Sequence, residues 1–392
     1  MIPLMKATFF HEYETKNALA DFIRQTDRFS MGERCAGFER SFAEFHGVSE
    51  AILFNSGGSA NLALMQALRN LGWLKPGDKV GFSSLTWSTN VMPLIQMGLV
   101  PVPIDCARQT LNAMSSTLLE RLEQVDLKAM FLTNALGLTG DLDAIRTLCR
   151  ERGILLLEDN CEALGTELAS GLAGTFGLAS TFSFFVAHHM STIEGGMVLT
   201  ANEELAEMLR IVRANGWDRN LNAAQQKKWR KTYGVGSELE AKYIFYDLGF
   251  NLRPTEITGF LGQAQLEHLS ENVRRRQDNY FQFQEAIREN DDLLTLDTSH
   301  LTTVSSFALP VICRTPELRT QYLFNFAGAG IEVRPMIAGD IQRQPFYSKY
   351  VEQTFELPET GFIHDCGFYC GNYPELTATD IETILGCLTK TA

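Results

Sequence analysis

The chain has 392 residues, 45% hydrophobic and 21% charged, with 34 basic against 47 acidic side chains for a net charge of −13. That length is more than one core usually fills, so two domains are expected, one large and one small. The negative balance, relieved only by a short basic tract at 225–231, argues against a nucleic-acid or anionic-membrane partner.

No apolar run is long enough to span a bilayer, and the N-terminus lacks a basic region ahead of an apolar stretch. Neither membrane insertion nor export is expected, and a cytoplasmic location follows. The eight cysteines are scattered singly. Only Cys366 and Cys370 stand close, and C-x3-C is not a zinc or iron–sulfur framework, so reduced thiols and no metal site are expected.

In chain order, "AILFN" (51–55) reads as a strand and "SANLALMQALRNL" (59–71) as a helix. "KVGFSS" (79–84), "TNVMPLIQMG" (89–98) and the strand "VPVPID" (100–105) follow. Then come "LKAMFLTN" (127–134), the helix "LDAIRTLCRERG" (142–153) and the strand "ILLLED" (154–159). Apolar strands alternating with amphipathic helices predict an α/β fold, a mostly parallel sheet covered by helices on both faces. After about residue 260 the pattern changes to long helical stretches, 262–290 and 316–327, flanking the strand-like "SSFALPVIC" (305–313). We therefore divide the chain into a large α/β domain over 1–260 and a small α+β domain over 261–392. The first 25 or so residues are expected to pack against the small domain.

Three stretches carry chemistry. In "FNSGGSANLAL" (54–64) a strand turns through Ser56-Gly57-Gly58-Ser59 into a helix, which is either a tight turn or a phosphate cradle of backbone N–H groups. In "LLLEDNCEALG" (155–165) a strand delivers Glu158 and Asp159 at its carboxyl end, where open α/β sheets place ligands. A carboxylate there caps a helix, binds a metal or pairs with a cationic ring nitrogen. The third is "STFSFFVAHHMSTIEGGMVLT" (180–200), with His188 and His189 on the connection between two strands. Adjacent histidines point apart in extended chain and do not chelate, so a structural or an acid–base role remains.

Together with "LTWSTN", "IDCARQTLN", "GTFG" and "NLRPTEI", these stretches resemble, in order and spacing, the DegT/DnrJ/EryC1/StrS family of sugar aminotransferases. The resemblance implies an aspartate-aminotransferase-like fold, with a mixed seven-stranded sheet in the large domain and a smaller α+β domain. It implies pyridoxal or pyridoxamine 5′-phosphate as cofactor and a homodimer with shared active sites. Carried over, Gly58, Ser59 and Ser183 hold the cofactor phosphate, Trp87 stacks on its ring, and Asp159 pairs with the pyridine nitrogen. Glu162 joins the cofactor site, and Asn251 reaches the phosphate from the neighbouring subunit. Arg219 and Arg334 are the weaker candidates for substrate contacts.

One position departs from the family pattern. Ordinary members carry a lysine between the serine and the Glu-Gly-Gly; here Ser183 and Glu194-Gly195-Gly196 are in place and the lysine position is His188. An imidazole cannot tether the cofactor but can move protons near neutral pH. The family's histidine-bearing members are sugar 3-dehydratases. One kind carries an iron–sulfur cluster on a cysteine-rich segment; the matching stretch here, 215–234, has no cysteine. The other kind needs no iron and removes the C3 hydroxyl of GDP-4-keto-6-deoxy-D-mannose, with L-glutamate restoring the amine form of the cofactor. That activity is the expectation, with His188 as the catalyst titrating near 7 and His189 as structure. Another nucleotide-linked 4-keto sugar, or amine transfer, are the alternatives.

Overall fold

The computed structural model describes residues 1–390. Two helices, α1 (Glu12–Gln25) and α2 (Glu33–His46), lead into strand β1 (Glu50–Phe54) and helix α3 (Gly57–Asn70). Strands β2 (Lys79–Ser83), β3 (Val100–Ile104), β4 (Ala129–Thr133), β5 (Leu155–Asp159), β6 (Ala179–Ser183) and β7 (Gly196–Thr200) complete a sheet of order β1-β7-β6-β5-β4-β2-β3. Strands β2 to β6 pair in parallel, and β7 runs antiparallel to both β1 and β6. A mostly parallel, seven-stranded mixed sheet is the architecture expected.

Both faces are apolar because successive side chains alternate. In β4, Phe131 joins Leu64 and Leu68 of α3 in one core, while Met130 and Leu132 join Ile145 and Cys149 of helix Leu142–Arg152 in another. The parallel strands therefore end together, and the loops carrying the three stretches gather at their carboxyl ends.

Helices α4 (Glu256–Leu266) and α5 (Leu269–Arg288) replace the single stretch expected over 262–290. The boundary expected at 260 falls inside α4. Beyond α5 lies a second sheet of β8 (Ala308–Ile312), β9 (Val333–Pro335) and β10 (Gly367–Gly371), antiparallel throughout. Its core includes Tyr280, Phe283, Leu309, Phe326 and Phe368. The first residues of the chain pack here: Ile2 bridges Ile331, and the Leu4 amide donates to Glu332 at 3.0 Å.

The basic tract forms helix Ala223–Thr232, where Lys228 pairs with Glu207 and Arg230 with Asp218, both carboxylates of the same chain. Among the described residues no helix is long and apolar enough to cross a membrane.

Candidate active site

Ser56 ends the turn after β1 in extended conformation, and its hydroxyl oxygen accepts the Ser59 amide at 3.1 Å, capping α3. The Ser56 hydroxyl in turn donates to the Ser59 oxygen at 2.9 Å. The amides of Gly57 and Gly58, at the first turn, have no intrahelical acceptor and carry the positive end of a 14-residue helix. The glycines are there for close approach. A Cβ on Gly57 would lie 2.5 Å from the Ser183 Cβ, and one on Gly196 would lie 2.2 Å from the Ser56 carbonyl oxygen. Stretches more than 120 residues apart thus touch only because these positions lack side chains.

At the end of β5 the two acidic residues separate, as alternation requires. Glu158 is fully buried on the far face, where its carboxylate accepts the amides of Gly174, Phe176 and Gly177, each at 2.8 Å. It fixes the "GTFG" turn and takes no part in the cavity. Asp159 faces the cavity. Its Oδ2 accepts from the carboxamides of Asn61 at 2.8 Å and Asn90 at 2.7 Å, and its Oδ1 from the Cys161 amide at 2.9 Å. Three converging N–H donors match the acceptor-only form of a carboxylate. Neither asparagine was singled out from sequence; Asn90 closes the "LTWSTN" landmark, and Asn61 lies one turn into α3.

Glu162 lies beside Asp159, and its carboxylate accepts the Leu136 amide at 2.8 Å. Leu136 sits in the left-handed region at φ 58°, a costly place for a branched side chain, and that turn aims its N–H at Glu162. Burial pushes the Glu162 carboxyl up to about 7; the Leu136 bond opposes this and the charge of Asp159 adds to it.

His188 lies on the loop after β6. Its Nδ1 is 3.3 Å from the Ser183 carbonyl, so that nitrogen carries the proton and donates. No described residue bonds Nε2. The ring stands edge-on to Phe307 with centroids 5.3 Å apart and 84° between planes. Burial lowers the imidazole to about 4, opposed by the Ser183 carbonyl and Asp159 and helped by Arg276. Against the expected group titrating near 7, the free imidazole is held in its neutral form by desolvation. His189 points the other way, its Nε2 donating to the Ser305 carbonyl at 2.8 Å, and is buried at 1% exposure.

Gly58, Trp87, Asp159, Glu162, Ser183 and His188 line one cavity of about 400 Å3, joined by Phe307, Ile337 and Tyr369 from the C-terminal half. No lysine lines it. Ser59 stands just behind the wall, bonded to Ser56. Trp87 is 57% exposed at the mouth. Three expected residues lie away from the cavity of their own chain. Asn251 is exposed and accepts from Arg253 Nε at 3.0 Å. Arg219 stacks on Trp217 with its guanidinium 4.0 Å from the ring centroid. Arg334 is exposed beside Glu332, although its strand neighbour Tyr369 does line the cavity.

These residues fit a phosphorylated pyridine cofactor. Two free amides and the Ser56 and Ser183 hydroxyls suit a phosphate, Trp87 offers a ring face, and Asp159 suits a protonated ring nitrogen. A Cβ on Gly58 would come within 3.1 Å of Thr89 and narrow the cradle.

The comparisons agree with this arrangement. The GDP-4-keto-6-deoxy-D-mannose 3-dehydratase of Yersinia pseudotuberculosis is 32% identical over 392 residues, covering 99% of this chain and 98% of that protein. That of Escherichia coli O55:H7 is 34% identical over 383 residues, covering 95% of each. A crystal structure of GDP-4-keto-6-deoxymannose-3-dehydratase, a histidine-to-asparagine mutant with bound GDP-perosamine, superposes with a TM-score of 0.90 at 31% identity. It covers 99% of this chain and 100% of that one. A Helicobacter pylori aminotransferase at 22% identity and TM-score 0.83 shares the fold. The family model for the DegT/DnrJ/EryC1/StrS aminotransferases matches residues 11–389, and with that match the chain belongs to this family.

Proposed function

We propose that the protein is a nucleotide-sugar 3-dehydratase dependent on pyridoxal or pyridoxamine 5′-phosphate. Its substrate is GDP-4-keto-6-deoxy-D-mannose, and L-glutamate restores the pyridoxamine form. The observation that carries this reading is the histidine on the cavity wall where the family pattern has lysine, with Nε2 unbonded. The relatives named for this activity support the substrate.

Gly57, Gly58, Ser56 and Ser183 would hold the phosphate, with Ser59 supporting Ser56 from behind; Trp87 would cover the ring, and Asp159 would keep the ring nitrogen protonated. Glu162, held up to about 7 by burial, would join them in holding the cofactor. When bound, pyridoxamine phosphate supplies an amine for the C4 ketone and a ring that takes up electrons as the C3 hydroxyl leaves. Nε2 of His188 takes up a proton at the cofactor side and delivers it to the departing oxygen, so that water rather than hydroxide leaves. Desolvation aids both halves: the free imidazole is neutral at pH 7, and its imidazolium is a strong donor. The Phe307 edge and the Ser183 carbonyl keep the ring from rotating away.

Asn251, exposed and off its own cavity, serves a second copy of the chain in a homodimer. Arg219 and Arg334 are assigned to the nucleotide sugar. Eight unpaired cysteines fit a reducing compartment, the cytoplasm.

The test is incubation of the purified protein with pyridoxamine phosphate, L-glutamate and GDP-4-keto-6-deoxy-D-mannose, followed by mass spectrometry. A sugar lighter by one oxygen atom, its C3 hydroxyl replaced by hydrogen, with release of ammonia is expected, and His188→Asn binds cofactor but leaves the sugar intact. An unchanged sugar mass with wild-type protein would sink the substrate assignment. Nitrogen retained on the sugar would instead indicate amine transfer.

A further inference from the structure

Behind the loop that presents His188 lies a buried cation. Arg276 on α5 is 4% exposed and makes no ion pair among the described residues. All its bonds go to neutral oxygens. Nε donates to Asn272 Oδ1 at 2.6 Å, and one terminal nitrogen donates to the Phe307 carbonyl at 3.1 Å and to that of Asn372. The Asn272 amide nitrogen passes the contact on, donating to the His189 carbonyl at 2.7 Å. The ring of Phe307 is the one that stands edge-on to His188. One guanidinium therefore bonds the backbone of the residue whose ring stands beside the imidazole and, through Asn272, reaches the backbone just after it.

A neutral side chain could satisfy carbonyl oxygens, and a buried charge costs several kcal/mol more than a neutral donor. Its presence calls for a reason. The charged and titratable groups facing His188 come from every side. Asp159 ends β5, Cys161 and Glu162 follow it, Glu194 precedes β7, Tyr369 stands on β10, and His189 shares the loop. Behind the loop, Tyr373, Glu375 and Arg276 border a small cavity of about 30 Å3, and the Glu375 carboxylate is the counter-charge that acts on Arg276 without bonding it. Among these, Arg276 is the fixed positive charge.

We propose that Arg276 is the positioning residue of the His188 base: it clamps the loop and the ring that hold the imidazole, and it keeps a permanent positive charge behind it. This rests on His188 being the base, and it adds a residue 88 positions away that acts through it. The planar fork serves the geometry, and the charge disfavours protonation of His188 before substrate arrives.

Histidine 13Cε1 NMR on the cofactor-free protein reads the charge directly, with His188→Asn used to assign the signal. In Arg276→Gln the His188 midpoint moves up. In Arg276→Lys it stays with the wild type, while kcat falls about tenfold because the fork is lost. A His188 titration in Arg276→Gln superimposable on the wild type would overturn the proposal. Should that variant not fold, Arg276→Lys decides, and wild-type kcat in it would be equally fatal. Full dehydration by His188→Asn would remove the reading of His188 itself, whatever Arg276 does to the titration.

Discussion

Burial of imidazoles has consequences for this chain beyond catalysis. His46, at the end of α2, is pushed down to about 4 by desolvation, against the Phe42 carbonyl that accepts its Nδ1 proton at 3.0 Å. Its Nε2 is buried with no partner among Phe42, Phe45 and Phe182. Unfolded, the same ring protonates near 6.5. Below that pH the unfolded chain binds the extra proton, so the neutral folded ring contributes stability that is complete above 6.5 and lost as pH falls through about 4. His188 acts in the same window and with the same sign. We expect His46→Leu to flatten the loss of stability between pH 6.5 and 4, recovering up to ~3 kcal/mol at the acid end, measured by urea unfolding at each pH. An unchanged slope would mean that the ring finds solvent. His188 itself was identifiable from spacing to Ser183 and Glu194-Gly195-Gly196. Its low pKa was not, because desolvation depends on Phe307 and the far side of the loop.

Between elements, the landmarks of the sequence turn out to be staples between distant segments. Asp105, in "IDCARQTLN", accepts the amides of Glu359 and Thr360 at 3.0 and 2.9 Å and the Thr360 hydroxyl at 2.6 Å, at the start of helix Pro358–Cys366. Arg108 reinforces the joint with a forked pair to Glu359, both bonds at 2.5 Å, and its guanidinium lies 4.1 Å from the centroid of the Phe362 ring. This joint ties the end of β3 to the segment that feeds β10, whose Tyr369 lines the cavity. Asp105→Ala leaves two helix-start amides and a hydroxyl without their acceptor and should cost ~1–3 kcal/mol in equilibrium unfolding. It should also raise KM more than it lowers kcat, since the cavity wall loosens while His188 keeps its own supports. Glu158→Gln lets the carboxamide oxygen keep the Phe176 and Gly177 amides but sets its NH2 against the Gly174 amide, and should destabilise by ~1–3 kcal/mol, read as a lower Tm. Strand and helix positions were legible from alternation of apolar residues. The tract at 225–231 was legible only as basic, and its ion pairs to Glu207 and Asp218 needed the fold.

For the whole molecule, the decisive question is which residues one chain supplies to its partner's site. Asn251 lies off its own cavity, so in the homodimer proposed above His188→Asn and Asn251→Ala should each remove activity, for different reasons. Co-refolding the two variants creates one site with an intact His188 and an intact Asn251 from the other chain. Activity that returns on mixing is expected in the dehydration assay; two inactive parents that stay inactive together would place Asn251 outside a shared site. The sequence by itself determined the layered α/β pattern, the glycine-serine turn that opens α3 and the identity of the residue in the lysine position. Those depend on local periodicity, turn chemistry and spacing along one chain. Only the tertiary structure decided that Asn61 and Asn90 hold Asp159, that Leu136 addresses Glu162, and that Arg276 bonds the backbone of Phe307, whose ring stands beside His188. These are contacts and desolvation across up to 98 positions of chain, created when the layers stack.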